Sequence, residues 1–180
     1  PEDLSWLLSS ERGTWKFLGY YANGWSTNFS PETVLSVLRD KDYGNYQAAR
    51  YPELFAYSLL SSDDLSWLLS SENGAWNFLG NYLYGWSDHF SQEAVLNILH
   101  DKDYGPSLVG NFPELFASHL TIPDDLSWVL SDKDGAEGFL NSYDDGWNTT
   151  FTPEEVLGIL KEVRPDDYKD LIRGYPIFEN

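Results

Sequence analysis

The chain has 180 residues, 29 of them acidic and 11 basic, for a net charge of −18, with 8 Trp, 12 Tyr, 10 Phe, no Cys and no Met. Such a negative balance argues against nucleic-acid phosphates and anionic lipid surfaces as partners, and no apolar run approaches the roughly 20 residues of a membrane-spanning helix. The absence of cysteine removes disulfides and thiolate chemistry.

Asp3 to Ser10 reads as a short helix with acidic residues in its first turn, where the positive end of the helix dipole favours them. Its Asp-Leu-Ser-Trp ends at Trp6 and returns at Trp67 and Trp128, each 61 residues further on. From Thr14 to Asn23, Trp15, Leu18 and Tyr21 or Ala22 fall at helical spacing, and Gly24 is placed to end the helix in a left-handed turn. Trp25 then folds back on that helix, so the Gly-Trp pairs at 24–25, 85–86 and 146–147 read as packing devices.

Phe29-Ser30-Pro31 begins the best-specified helix. Ser30 suits the N-cap and Pro31 the first helical position, and Phe29 with Val34 has the spacing of a hydrophobic staple. Phe90 with Val95 and Phe151 with Val156 repeat that spacing, and Thr152 with Glu155 has the form of a capping box. Asp40-Lys41-Asp42-Tyr43-Gly44, repeated from Asp101, is an acidic turn. Tyr51-Pro52-Glu53-Leu54-Phe55 begins a fourth helix.

The expected fold is therefore all-α: three tandem helical repeats of 61 residues, about four short helices each, stacked as a short rod or arc. Repeat 1 is residues 1–63, repeat 2 is 64–124, and repeat 3, a divergent C-terminal cap, is 125–180. Their net charges run −3, −7 and −8.

Motifs that carry chemistry are scarce. The acidic turns invite calcium through Asp40, Asp42, Asp101 and Asp103. An EF-hand counted from Asp40 would need Gly and Glu where Asn45 and Tyr51 stand, so a solvated turn is the better reading and calcium the lesser one. His89, His100 and His119 all lie in repeat 2 without the spacing of metal ligands, so no metal site is assigned. No phosphate-binding glycine loop, nucleophile elbow or His-Glu-x-x-His helix occurs. No catalytic residue, cofactor or enzymatic activity is expected. Asn28 and Asn148 stand in glycosylation sequons, and Ser30 of the first is already explained as a cap.

Aromatic residues outside the shared framework carry more information. Tyr20, Tyr46, Tyr57 and Tyr84 have no aromatic counterpart in the other copies, which makes them candidates for surface contact. Repeat 3 turns polar where a terminal module would: Trp76 becomes Glu137, and Gly80 becomes Asn141. Repeat 1 keeps Trp6, Trp15 and Trp25, which predicts that its outer face has a cover: an upstream segment, another subunit, or repeat 3 of a second copy packed head to tail. The candidate interface is Trp6, Trp15, Tyr20, Tyr46, Tyr57 and Tyr84.

The leading expectation is a non-enzymatic structural or protein-binding repeat protein that joins a protein partner or itself. An acidic inhibitor of a basic partner and an extracellular carbohydrate binder with aromatic platforms are the alternatives. A chain beginning at Pro1 without methionine favours a processed or secreted product.

Overall fold

The computed structural model describes residues 2–178, and among these every regular element is helical. Repeat 1 contains α1 (Glu2–Leu7), α2 (Glu11–Gly19), 3-10 turns at Tyr21–Asn23 and Trp25–Thr27, α3 (Pro31–Leu38), α4 (Gly44–Ala49) and α5 (Pro52–Phe55). Repeat 2 follows the same order with α6 (Ser62–Leu68), α7 (Glu72–Gly80), α8 (Gln92–His100), α9 (Gly105–Gly110) and α10 (Pro113–Phe116). Repeat 3 holds α11 (Pro123–Ser131), α12 (Lys133–Asn141), α13 (Pro153–Val163) and α14 (Tyr168–Leu171), closed by a 3-10 turn at Pro176–Phe178.

Capping explains where the helices start. The Ser30 hydroxyl accepts the Thr33 N–H with Pro31 at the first position of α3, and Thr152 with Glu155 forms the capping box expected on α13. Ser10, Ser71 and Asp132 cap α2, α7 and α12 by accepting the N–H of Gly13, Gly74 and Gly135.

Two local features differ from expectation. Helix α2 runs from Glu11, behind the Ser10 cap, to Gly19 instead of from Thr14 to Asn23. The reason for the early end is Tyr21, whose hydroxyl donates to the Phe29 carbonyl; Tyr82 does the same to Phe90 and Tyr143 to Phe151. That bond pins the ring under the following loop, so the chain tightens into a 3-10 turn. Gly24 accordingly has φ +150 and ψ −29 between two such turns, and does not form the left-handed helix end. Trp25 nevertheless folds back on α2, with its ring centroid 5.3 Å from that of Phe17.

The second difference is α4, a helix that no sequence signal marks between the acidic turn at 40–44 and the helix begun at Tyr51. Gly44, Asn45, Gln47, Ala48 and Ala49 are all buried. A helix covered all round shows no amphipathic stripe to betray it. Gly44 starts it because a Cβ there would stand 1.8 Å from the Leu38 carbonyl oxygen.

The chain divides into two compact units, one ending at Ser91 and the other beginning at Gln92. In the first, α4 packs on α6 and α7. In the second, α9 packs on α11 and α12. The division falls inside repeat 2, because the packed assembly joins the second half of one repeat to the first half of the next. The repeat boundaries at 63 and 124 mark the sequence period.

Candidate functional site

In the first unit, Phe78 of α7 sits among Tyr82, Trp86 and Phe90, with centroids 5.4 to 6.1 Å away. Trp86 is fully buried, and its indole N–H donates to the Ala49 carbonyl at 2.9 Å. Asn45 donates to the hydroxyls of Ser70 and Ser71 at 3.0 and 2.7 Å. Pro52 lies so close to Gly85 that a Cβ there would meet it at 3.1 Å. The α4–α5 pair is thus seated on the aromatic cluster of repeat 2 by one indole bond, one amide and one proline.

The second unit repeats this seat. Trp147 is fully buried and its indole N–H donates to the Gly110 carbonyl at 3.1 Å. Pro113 lies against Gly146, and Pro106 against Gly135. Asn111 fills the space beside Gly138, where a Cβ would come within 2.3 Å of its amide nitrogen.

A further residue of each seat covers the Trp of the Asp-Leu-Ser-Trp motif. The Arg39 guanidinium lies 4.7 Å from the Trp67 ring centroid, while the His100 ring stacks on Trp128 at 3.9 Å. Arg39 is also bonded to Asp64, the third helical residue of the capping box that Ser61 begins. Burial raises the Asp64 carboxyl, but hydrogen bonds from Ser61, Arg39 and the Leu60 N–H outweigh it and hold the group below its ordinary value.

Repeat 1 has the same cluster with nothing seated on it among the described residues. Trp25 is only partly buried, and among the described residues no atom lies within 4 Å of where a Gly24 Cβ would stand and no acceptor meets the Trp25 indole N–H. Trp6 is 75% exposed and Tyr20 64%. These residues, with Ser9, Ser10 and Lys16, line a mainly apolar groove of about 470 Å³.

The other expected interface residues fall elsewhere. Trp15 and Tyr46 line a neighbouring hollow with Arg12 and Arg50, and burial together with a hydrogen bond to Glu11 raises the Tyr46 phenol. Tyr84 is exposed near Pro52, and Tyr57 is exposed with one edge against the His89 ring. Trp6 and Tyr20 are therefore brought together, Trp15 and Tyr46 form a second pair, and Tyr57 and Tyr84 stand apart. Sequence reasoning placed Trp25 with its two counterparts as a packing device and passed over Ser9, Ser10 and Lys16. The 61-residue register to Ser70 and Ser71 was the available signal, but it becomes informative only once Asn45 is seen to bind those two serines.

The three histidines have separate surroundings, His89 by Tyr57, His100 on Trp128 and His119 by Ser118. Among the described residues no three His, Asp or Glu side chains gather into a group able to hold a metal ion. No described helix is long and apolar enough to cross a membrane. No protein-family model, curated protein or solved structure matches the chain.

Proposed function

We propose that this chain is a non-enzymatic repeat protein whose work is docking to other polypeptide, and that it does so through the aromatic face of repeat 1. The observation that carries this reading is the contrast among three equivalent clusters: Trp86 and Trp147 are fully buried under a seated helix pair, whereas Trp25 lies partly open beside Trp6 and Tyr20. An apolar groove ringed by Trp and Tyr matches the composition of interface centres, where such rings contribute most of the affinity. Apolar, weakly charged surface also suits protein contact in a chain that otherwise repels anions.

Self-association and capture of a different partner are two uses of one face. Calorimetric titration with a peptide of residues 39–55, the segment that fills the equivalent seat on repeat 2, tests it, with Trp6→Ala/Tyr20→Ala as the comparison. Both side chains are exposed, so the variant is expected to keep its helical circular dichroism while losing association. Association that survives the double substitution unchanged overturns the assignment of this face.

A further inference from the structure

The groove on repeat 1 stands in register with two seats that are filled elsewhere in the same chain, differing from both at Lys16 and Tyr20. Ser9, Ser10, Gly13, Phe17 and Trp25 are in 61-residue register with Ser70, Ser71, Gly74, Phe78 and Trp86. We propose that the groove is the seat for the second half of a further repeat joined ahead of α1, arriving as α4–α5 arrives on repeat 2. The inference rests on the docking reading above and specifies what docks.

The filled seats dictate the chemistry of the occupant. It must present a backbone carbonyl beside a small residue, as Ala49 and Gly110 do, so that the Trp25 indole can reach it. Three residues later it must carry a proline to lie on Gly24, as Pro52 lies on Gly85 and Pro113 on Gly146. Ten residues before that carbonyl it needs a flat cation or ring to cover Trp6, as Arg39 covers Trp67 and His100 covers Trp128. Asp3 stands in register with Asp64 to receive such a cation.

Arg-Asp-Lys-Asp-Tyr-Gly followed by Tyr-Pro-Glu-Leu-Phe, and its counterpart from His100 to Phe116, meet these demands. Both copies are already seated within the chain. The end of repeat 3 carries Arg164 and Pro176, but Arg164 is already bonded to Asp167 and to the Ser131 carbonyl, which argues against a second copy packed head to tail. In the 61-residue register Asp166, and by the Asp-Tyr match Lys169, stands where Gly44 and Gly105 leave no room for a Cβ beside the Leu38 and Leu99 carbonyls. Tyr175 is bonded to Asn141, and Phe178 lies 4.9 Å from Tyr143 within its own repeat.

Joining a copy of residues 1–61 in front of the full chain places such a helix pair in register. The reporter is the Trp25 indole N–H, identified in a proton–nitrogen spectrum by its loss in Trp25→Phe. Its exchange with solvent is expected to slow at least about ten-fold in the extended chain. Trp25→Phe should lower the folding constant of the extended chain at least about five-fold more than that of the 180-residue chain, the effect of one net hydrogen bond or more. Unchanged exchange at Trp25 overturns the proposal, and so does an added copy that contributes no helical signal, since its second half has then found no seat. Protection of Trp25 that grows with concentration in the unextended chain assigns the groove to a second copy and overturns it too. In each of these cases the Trp6→Ala/Tyr20→Ala comparison still decides separately whether the face docks polypeptide at all.

Discussion

At the scale of single residues, one tryptophan position does different work in its three copies. Trp86 and Trp147 are each completely buried, and each donates an indole N–H to a carbonyl of the preceding repeat. Trp86→Phe removes that donor, leaves the Ala49 carbonyl unpaired and opens part of a ring's volume. The expected cost is about 2 to 3 kcal/mol. Trp25→Phe in the 180-residue chain loses neither an indole bond nor full burial, and should cost less than about 1 kcal/mol. Urea titration of the two variants measures the difference. Thr14 offers a change in the opposite direction. It is fully buried with its hydroxyl unbonded, and its register partners are Ala75 and Ala136, both buried as well. Thr14→Ala removes an unsatisfied polar atom at a site where two copies already pack alanine, so it should raise stability by up to about 1 kcal/mol in the same titration.

At the scale of elements, the starts of α3 and α13 were legible in the sequence, whereas the Ser10 cap of α2 and the whole of α4 were not. Asp64 shows how a start is tied to its neighbours: its carboxylate closes the capping box of α6 and also holds Arg39, which in turn covers Trp67. Because its folded pKa lies below its ordinary value, it contributes stability that is complete above the unfolded pKa of about 3.9 and is lost as the pH falls through the lower folded value. Asp64→Asn should therefore be less stable than the parent at neutral pH, and the gap should close in acid. Thermal melts of the two proteins from pH 7 to pH 2 check this; a gap that persists unchanged at pH 2 contradicts it. The legible starts share a cause: Ser30 with Pro31, and Thr152 with Glu155, act within four residues, so local sequence suffices to show them. Helix α4 was hidden because its partners are far away in sequence. Asn45 is matched to Ser70 and Ser71, and Ala49 to Trp86, across 25 to 37 residues. The candidate groove was hidden for the same reason. Its aromatic residues were visible as Trp6 and Tyr20, but that they share a wall with Ser9, Ser10 and Trp25 follows only from how α1 and α2 fold together.

At the scale of the whole molecule, charge sets the remaining expectation. The residues up to Ser91 carry 11 acids and 5 bases, a net −6, and those from Gln92 onward carry 18 and 6, a net −12. Attraction does little to balance this. Of the ion pairs Arg39–Asp64, Lys133–Glu137, Arg164–Asp167 and Arg173–Asp170, the last three link residues within one helical turn or adjoining turn, and such solvent-screened pairs add little stability. Unscreened, the excess negative charge opposes compaction, and salt shortens its reach from about 30 Å at 0.01 M to about 8 Å at 0.15 M. Added sodium chloride should therefore stabilise the chain, and the second unit more than the first. The Trp86 and Trp147 indole protons report on one unit each, so their exchange rates, followed from low to moderate salt, separate the two responses. The Trp147 proton is expected to gain the larger protection. Equal gains would mean that local pairing in α12 to α14 offsets the doubled charge, and a loss of protection with salt would place attraction above repulsion in both units.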